Sequence, residues 1–265
     1  MANINDITLL ITACKPHLVE LCLTSVKRHY PELPVIICLP ETEIRRNEYL
    51  VGFKNVSVIV FTGFPYNHHN VLNNLIEACP SKYCIICDDD VFFHTGGIIE
   101  CISEIFKHDV SIMAVAELEH IVINFPYPPD TNTNLIKMPR LSSYFAAYDV
   151  SVVRKYNLQF AKSIDILYVG KDAIYDPSKV PYYDTGAKMM TEMCYHGLKW
   201  FDMRNYSKYI THYSGASRRF IGKLNPLFYK IDFLDLAEYM FDTTNMCERD
   251  LGTLRKLLKD CHSLR

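Results

Sequence analysis

Residues 85–93 read IICDDDVFF: an apolar run, Ile85-Ile86-Cys87, ends in Asp88, Asp89 and Asp90, and apolar sequence resumes at Val91, Phe92 and Phe93. Stability gives little reason for this pattern. A polar exit from a strand into a turn accounts for one aspartate, not for three in a row. In an extended chain alternate side chains share a face, which puts Asp88 and Asp90 together and turns Asp89 away. Two carboxylates on one face repel by a few kcal/mol at an effective dielectric of about 20. A divalent cation removes that repulsion and takes oxygen ligands readily. The expectation is a metal site at the end of a buried strand.

Upstream of this segment, strands and helices alternate. Ile7 to Cys14 (ITLLITAC) is a near-continuous apolar run, as in a strand covered on both sides. Pro16 suits a first helical turn, and Leu18, Leu21, Cys22 and Val26 recur at helical spacing to about Tyr30. Val35 to Leu39 reads as a second strand, Glu41 to Leu50 as a short polar helix and Val56 to Phe61 as a third strand. A helix over Asn70 to Cys79 is stopped by Pro80, and Tyr83 to Cys87 is the strand that enters the aspartates. A further helix carries Ile98, Ile99, Ile102, Ile105 and Phe106, and Ser111 to Ala116 is the next strand. This alternation predicts an α/β fold with a mostly parallel central sheet and helices on both faces. In such sheets ligands bind beyond the carboxyl ends of the strands, where the aspartates fall.

The second half is less regular. His120 to about Arg140 is rich in Pro and Asn and reads as a loop or hairpin, a substrate wall or a solvated excursion. Gly186 to His196 is a helix ended by Gly197, and Phe233 to Phe241 and Met246 to Cys261 read as terminal packing helices.

Bulk composition excludes several classes. A net charge of −2 gives no electrostatic attraction to nucleic acid or to an anionic membrane. No apolar stretch reaches the ~20 residues of a membrane span. MANINDITLL has neither the basic flank nor the cleavage site of a signal peptide, so a cytoplasmic protein is expected. The ten cysteines sit mostly among Ile, Leu and Ala, as buried free thiols do. Cys84 and Cys87 have a C-x-x-C spacing, but on a strand an offset of three sends the two sulfurs to opposite faces and defeats zinc chelation.

Four segments together resemble the GT-A glycosyltransferases, in particular the family-2-like inverting enzymes. They are ITACKPHLVELCLTSVKRHYP, NVLNNLIEACPSKYCIICDDDVFF with its Asp-x-Asp, YYDTGAKMMTEMCYHGLKWFD and THYSGASR, in the family's order. The resemblance implies a single GT-A (Rossmann-like) domain over 1–265. Within it, 1–116 would be the nucleotide-sugar-binding half, 117–230 the irregular acceptor and catalytic half, and 231–265 the C-terminal helices. Two positions depart from the pattern. The second strand runs into Cys38, Leu39, Pro40 and Glu41 instead of an Asp, and the usual Glu-Asp pair is Tyr183-Asp184.

The implied chemistry is transfer of a sugar from a nucleotide sugar, a UDP-sugar favoured, to a glycan or other hydroxyl acceptor. Asp90, Asp88 and His212 would hold Mn²⁺ or Mg²⁺, with the imidazole favouring Mn²⁺; a hydrogen-bonded histidine near a strand end is the plainer reading of His212. Asp88 and Asp89 would also face ribose and sugar. Thr12, Ala13, Lys15, Glu41, Asn70, Asn74 and Arg218 would line the nucleotide, with Arg219 and Lys223 near the diphosphate. Asp184, at a helix start where capping alone would also place an Asp, would be the general base, with Asp176 and Glu192 in reserve. His68 and His69 are expected at the surface or as caps. Tyr127, Tyr182, Tyr183 and Trp200 are candidates for stacking on an acceptor sugar or for the core. Three alternatives stay open: a retaining GT-A enzyme, a sugar-phosphate nucleotidyltransferase and a non-catalytic nucleotide- or glycan-binding module. A nucleotidyltransferase usually needs a Gly-rich phosphate cradle after the first strand, and ITACKPH has no glycine. Oligomeric state is not legible.

Overall fold

The computed structural model describes residues 6–13, 16–41, 50, 52–62, 68–124, 135–161, 166–168, 186–203, 205 and 208–213. Apart from β5, the described elements of the first half follow the expected order. It comprises β1 (Ile7–Thr12), α1 (Pro16–His29), β2 (Val35–Pro40), β3 (Val56–Phe61), α2 (His68–Ala78), β4 (Tyr83–Asp88), β5 (Val91–Phe93) and α3 (Ile98–Ile105). Then come β6 (Ile112–Asn124), β7 (Leu135–Asp149), α4 (Val150–Lys155), β8 (Ile166–Tyr168), α5 (Ala187–Tyr195), β9 (Trp200–Asp202) and β10 (Ile210–His212).

Eight strands form the main sheet in the order β3-β2-β1-β4-β7-β6-β8, with β9 added beside β6. β1 pairs in parallel with β2 and β4, and β2 with β3, while β7 runs antiparallel between β4 and β6. The result is the α/β, Rossmann-like, mostly parallel sheet that the alternation predicts. Residues with even numbers on the central strands face one way. Leu10, Ile36, Cys38, Cys84 and Ile86 pack there with Val71, Leu72, Leu75 and Ile76 of α2 and with Met189, Met190 and Met193 of α5. Odd-numbered Leu9, Ile11, Ile37, Ile85 and Cys87 face α1 and α3 through Val19, Cys22, Leu23, Val26, Ile98, Ile99 and Ile102. A strand covered on both faces must be apolar throughout, which is why β1, β2 and β4 read as unbroken hydrophobic runs. Cys84 and Cys87 fall in opposite layers, as the argument against zinc requires.

Two details differ from expectation, and one open alternative is settled. β6 runs on past the expected end at Ala116 to Asn124 and pairs antiparallel with β7 from Ile121↔Met138 to Asn124↔Leu135; residues 125–134, the Pro- and Asn-rich stretch, lie outside those described. The helix after β3 opens two residues early, at His68. Trp200 belongs to β9 and packs against the α2-side core, the role of a core aromatic. Gly197, at φ 62°, follows α5 in the left-handed conformation that commonly ends helices. The terminal helices expected beyond residue 230, and the helix over 41–50, lie outside the described residues. Among the described residues no helix is long and apolar enough to cross a membrane.

One buried hydroxyl ties β5 to the helical layer. Ser25 Oγ accepts from Phe93 N at 3.1 Å and donates to Cys22 O at 2.7 Å. Ser25→Ala leaves the Phe93 amide without that acceptor, and a loss of about 1–3 kcal/mol in unfolding free energy is expected in urea denaturation.

Candidate metal centre

β4 ends at Asp88, and Asp89 and Asp90 form a turn before β5 begins. Strand alternation therefore does not bring Asp90 to Asp88, as the sequence argument had it; the turn does. The turn also buries Asp89 and Asp90, each 4% exposed, instead of sending Asp89 outward. β5 pairs antiparallel with β10, with His212 opposite Val91, and Tyr213 N donates to Asp90 O at 2.9 Å. This two-stranded ladder delivers His212 from late in the chain to the carboxylates.

His212 Nε2 lies 3.1 Å from Asp90 Oδ1. One ligand atom each from Asp88, Asp90 and His212 lies within 4.8 Å of the others. The Tyr144 ring, from β7, stacks on the His212 imidazole at 3.9 Å between centroids and 12° between planes. Such face-to-face contact fixes the imidazole plane, so that Nε2 stays aimed at Asp90. The cluster stands at the carboxyl end of β4, next to that of β1. α1 and α2 lie on opposite faces there, which makes this the point where the direction of strand addition reverses.

Asp88 is supported from two sides. Thr12 Oγ1, its neighbour in the β1–β4 register, donates to Asp88 Oδ1 at 2.9 Å. His68 Nε2, at the first residue of α2, lies 3.6 Å from the same oxygen. Burial pushes the Asp88 carboxyl up, but His68, His212 and Thr12 outweigh it and hold it below its ordinary value. His68 is thus no simple surface or capping residue. Because α2 follows β3, its first residues must lie at the carboxyl edge of the sheet, a signal the sequence carried.

The donor set fits a hard or borderline divalent ion. Ion–ligand bonds near 2.1 Å put adjacent ligands of an octahedron about 3 Å apart, close to the 3.1 Å between His212 and Asp90. Two carboxylates and one imidazole could together hold a divalent ion.

The other expected site residues divide by location. Ala13 is buried and its N–H continues the β1–β2 ladder to Cys38 O at 3.1 Å. Asn70 and Asn74 are on the exposed side of α2, and Glu41 is exposed just past β2. Glu192 on α5 has Oε1 3.5 Å from Lys188 Nζ, while its Oε2 is buried with no hydrogen-bond partner among the described residues. Lys15, Asp176, Tyr127, Tyr182, Tyr183, Asp184, Arg218, Arg219 and Lys223 lie outside the described residues. Tyr144 and His68 are the neighbours of the cluster that sequence reasoning did not assign to it.

No family model matches the sequence, and no curated protein does. Solved structures do resemble the fold. A putative glucose-1-phosphate thymidylyltransferase from Bacillus anthracis is 11% identical, with 86% of this chain and 97% of that one covered at a TM-score of 0.47. TarS 1-349 of S. aureus is 11% identical, with 98% and 92% covered at 0.43. Mouse xyloside xylosyltransferase 1 is 13% identical, with 56% and 68% covered at 0.36. These are distant likenesses of chain path.

Two outcomes are expected at this centre. Mn²⁺ at about 100 times its dissociation constant raises the stability of the folded chain by about 2.7 kcal/mol, and Asp90→Asn or His212→Ala removes most of that gain in thermal denaturation. In the metal-free chain, the depressed carboxyl of Asp88 contributes stability above its ordinary value of 3.8, lost as pH falls through the lower folded value. Asp88→Asn should therefore flatten that part of the acid unfolding curve.

Proposed function

We propose that the chain is a metal-dependent glycosyltransferase that moves a sugar from a nucleotide-sugar donor, a UDP-sugar by preference, to a hydroxyl of a glycan or other acceptor. The observation that carries this reading is the Asp88, Asp90 and His212 cluster at the carboxyl edge of the sheet, where β1 and β4 lie side by side. A parallel α/β sheet offers its ligand crevice at that reversal point, and a divalent ion there would neutralise the diphosphate as the sugar–phosphate bond breaks.

The remaining assignments rest on the family resemblance in the sequence. Asp90, Asp88 and His212 hold the ion. Thr12, Ala13, Lys15, Glu41, Asn70, Asn74, Asp89 and Arg218 are assigned to the nucleotide and donor sugar. Asp184 takes the proton of the acceptor hydroxyl while the acceptor oxygen bonds to the anomeric carbon and the nucleoside diphosphate leaves. Gly186, which begins the hydrogen-bonding of α5 through Met190 N→Gly186 O at 3.1 Å, follows Asp184 by two residues. A carboxylate there is favoured by the helix dipole.

The test is turnover of a panel of UDP-, GDP- and dTDP-sugars with Mn²⁺. One donor class should be consumed by the unmodified chain, and Asp90→Ala should lower its turnover at least about 100-fold. Asp184→Ala should abolish transfer while leaving donor binding by calorimetry intact. Product configuration by NMR separates inversion, the expected result, from retention. Consumption of a nucleoside triphosphate and a sugar phosphate instead would make the chain a nucleotidyltransferase. Absence of both binding and turnover with every donor would sink the enzyme reading.

A further inference from the structure

A second histidine reaches the acidic cluster, meeting Asp88 as His212 meets Asp90. His68 Nε2 faces Asp88 Oδ1 at 3.6 Å, and Thr12 Oγ1 donates to that same oxygen at 2.9 Å. Both contacts come from elements that the fold fixes independently of the cluster. Thr12 is the last residue of β1 and is paired in register with Asp88. His68 opens α2, whose Val71, Leu72, Leu75 and Ile76 are locked into the core. The Asp88 carboxylate, about one quarter exposed, is therefore gripped at one oxygen between a strand and a helix.

We infer that His68 and Thr12 are positioning residues that hold Asp88 by Oδ1 and so present Oδ2 to a divalent ion. This rests on the metal reading proposed above and adds to it the means by which the first carboxylate is oriented. A carboxylate free to turn about its terminal bond loses entropy when it binds an ion, whereas one already held by a neighbour does not. The two histidines then divide the work. His212 lies 3.1 Å from Asp90 and belongs with the ion's ligands, while His68 meets Asp88 at 3.6 Å, falls outside that group of three, and would act on the ion through Asp88. Asp90 needs no such grip from a side chain, because its backbone carbonyl is tied to Tyr213 N at 2.9 Å and its side chain is 5% exposed.

The experiment is Mn²⁺ titration of the intact chain by electron paramagnetic resonance, with pulsed detection of nitrogen coupling. His68→Ala should weaken Mn²⁺ binding by about 10- to 100-fold, and Thr12→Val should weaken it in the same direction. His68→Gln, whose amide can still donate to Asp88, should recover part of the loss. The nitrogen coupling of one imidazole should survive in His68→Ala and vanish in His212→Ala. Circular dichroism of each metal-free variant checks that it is folded. Unchanged affinity in folded His68→Ala overturns the inference and leaves the metal site standing. Loss of one of two imidazole couplings in His68→Ala overturns it differently, by making His68 a ligand. No Mn²⁺ binding by the unmodified chain sinks the metal reading and this inference with it.

Discussion

Like charges held together by a rigid edge are what the surrounding structure must answer. β4 has β1 on one side and β7 on the other and helices over both faces, so its end cannot move aside. Asp88 and Asp90 offer ligand oxygens within 4.8 Å of each other. At an effective dielectric of about 20 that repulsion is about 3 kcal/mol, a large fraction of the stability of a typical domain. Every neighbour of the cluster is a partial answer to it. Thr12 donates to one acid, His68 stands against it, and His212 stands against the other. None of these neighbours carries the double charge that two carboxylates call for, whereas a divalent ion does.

The second consequence concerns long-range order. His212 reaches Asp90 only because β10 pairs with β5, and three-residue strands have little stability of their own. They are held by what they pack against. Val91 and Phe93 are buried in the α1-side core with Ile210, Phe93 meets Phe145 edge-on at 5.8 Å, and Ser25 takes the Phe93 amide. His94 adds a link, with Nε2 2.5 Å from Thr211 Oγ1 and its amide donating to Tyr209 O at 2.8 Å. The stability of the α1-side core and the placing of the imidazole are one and the same set of contacts.

How far the sequence disclosed this arrangement follows from which forces act locally. β1, β2 and β4 are legible because strands covered on both faces must be apolar at every residue, and the α/β order is legible because helical and strand periods differ. The meeting of Asp88, Asp90 and His212 was anticipated, yet the reason given for the first two was wrong: the chain turns at Asp89 instead of running on extended. The length of β6 and β7 was hidden, since Pro and Asn in the sequence that follows β6 mask strand pairing that non-local hydrogen bonds decide. β5 and β10 were hidden because Val-Phe-Phe and Ile-Thr-His are too short to show any period. His68 was read as a surface or capping residue at the start of a helix, when the connection from β3 already put that first turn at the carboxyl edge.

The loop after β1 bears on why the charge should be met by an ion. In folds that cradle phosphates with backbone amides, glycines let the main chain come close and turn its N–H groups inward. ITACKPH offers no glycine, and its proline removes an amide at the start of α1. The Ala13 amide, the last described before that loop, is already committed to Cys38 O. A diphosphate arriving at this edge would therefore find the Ala13 amide already taken and two carboxylates beside it. Anion would meet anion unless a cation stood between them. Under the function proposed above, the acids that would repel a phosphorylated donor by itself would favour that donor together with a divalent ion, so ion and donor are expected to bind as a linked pair.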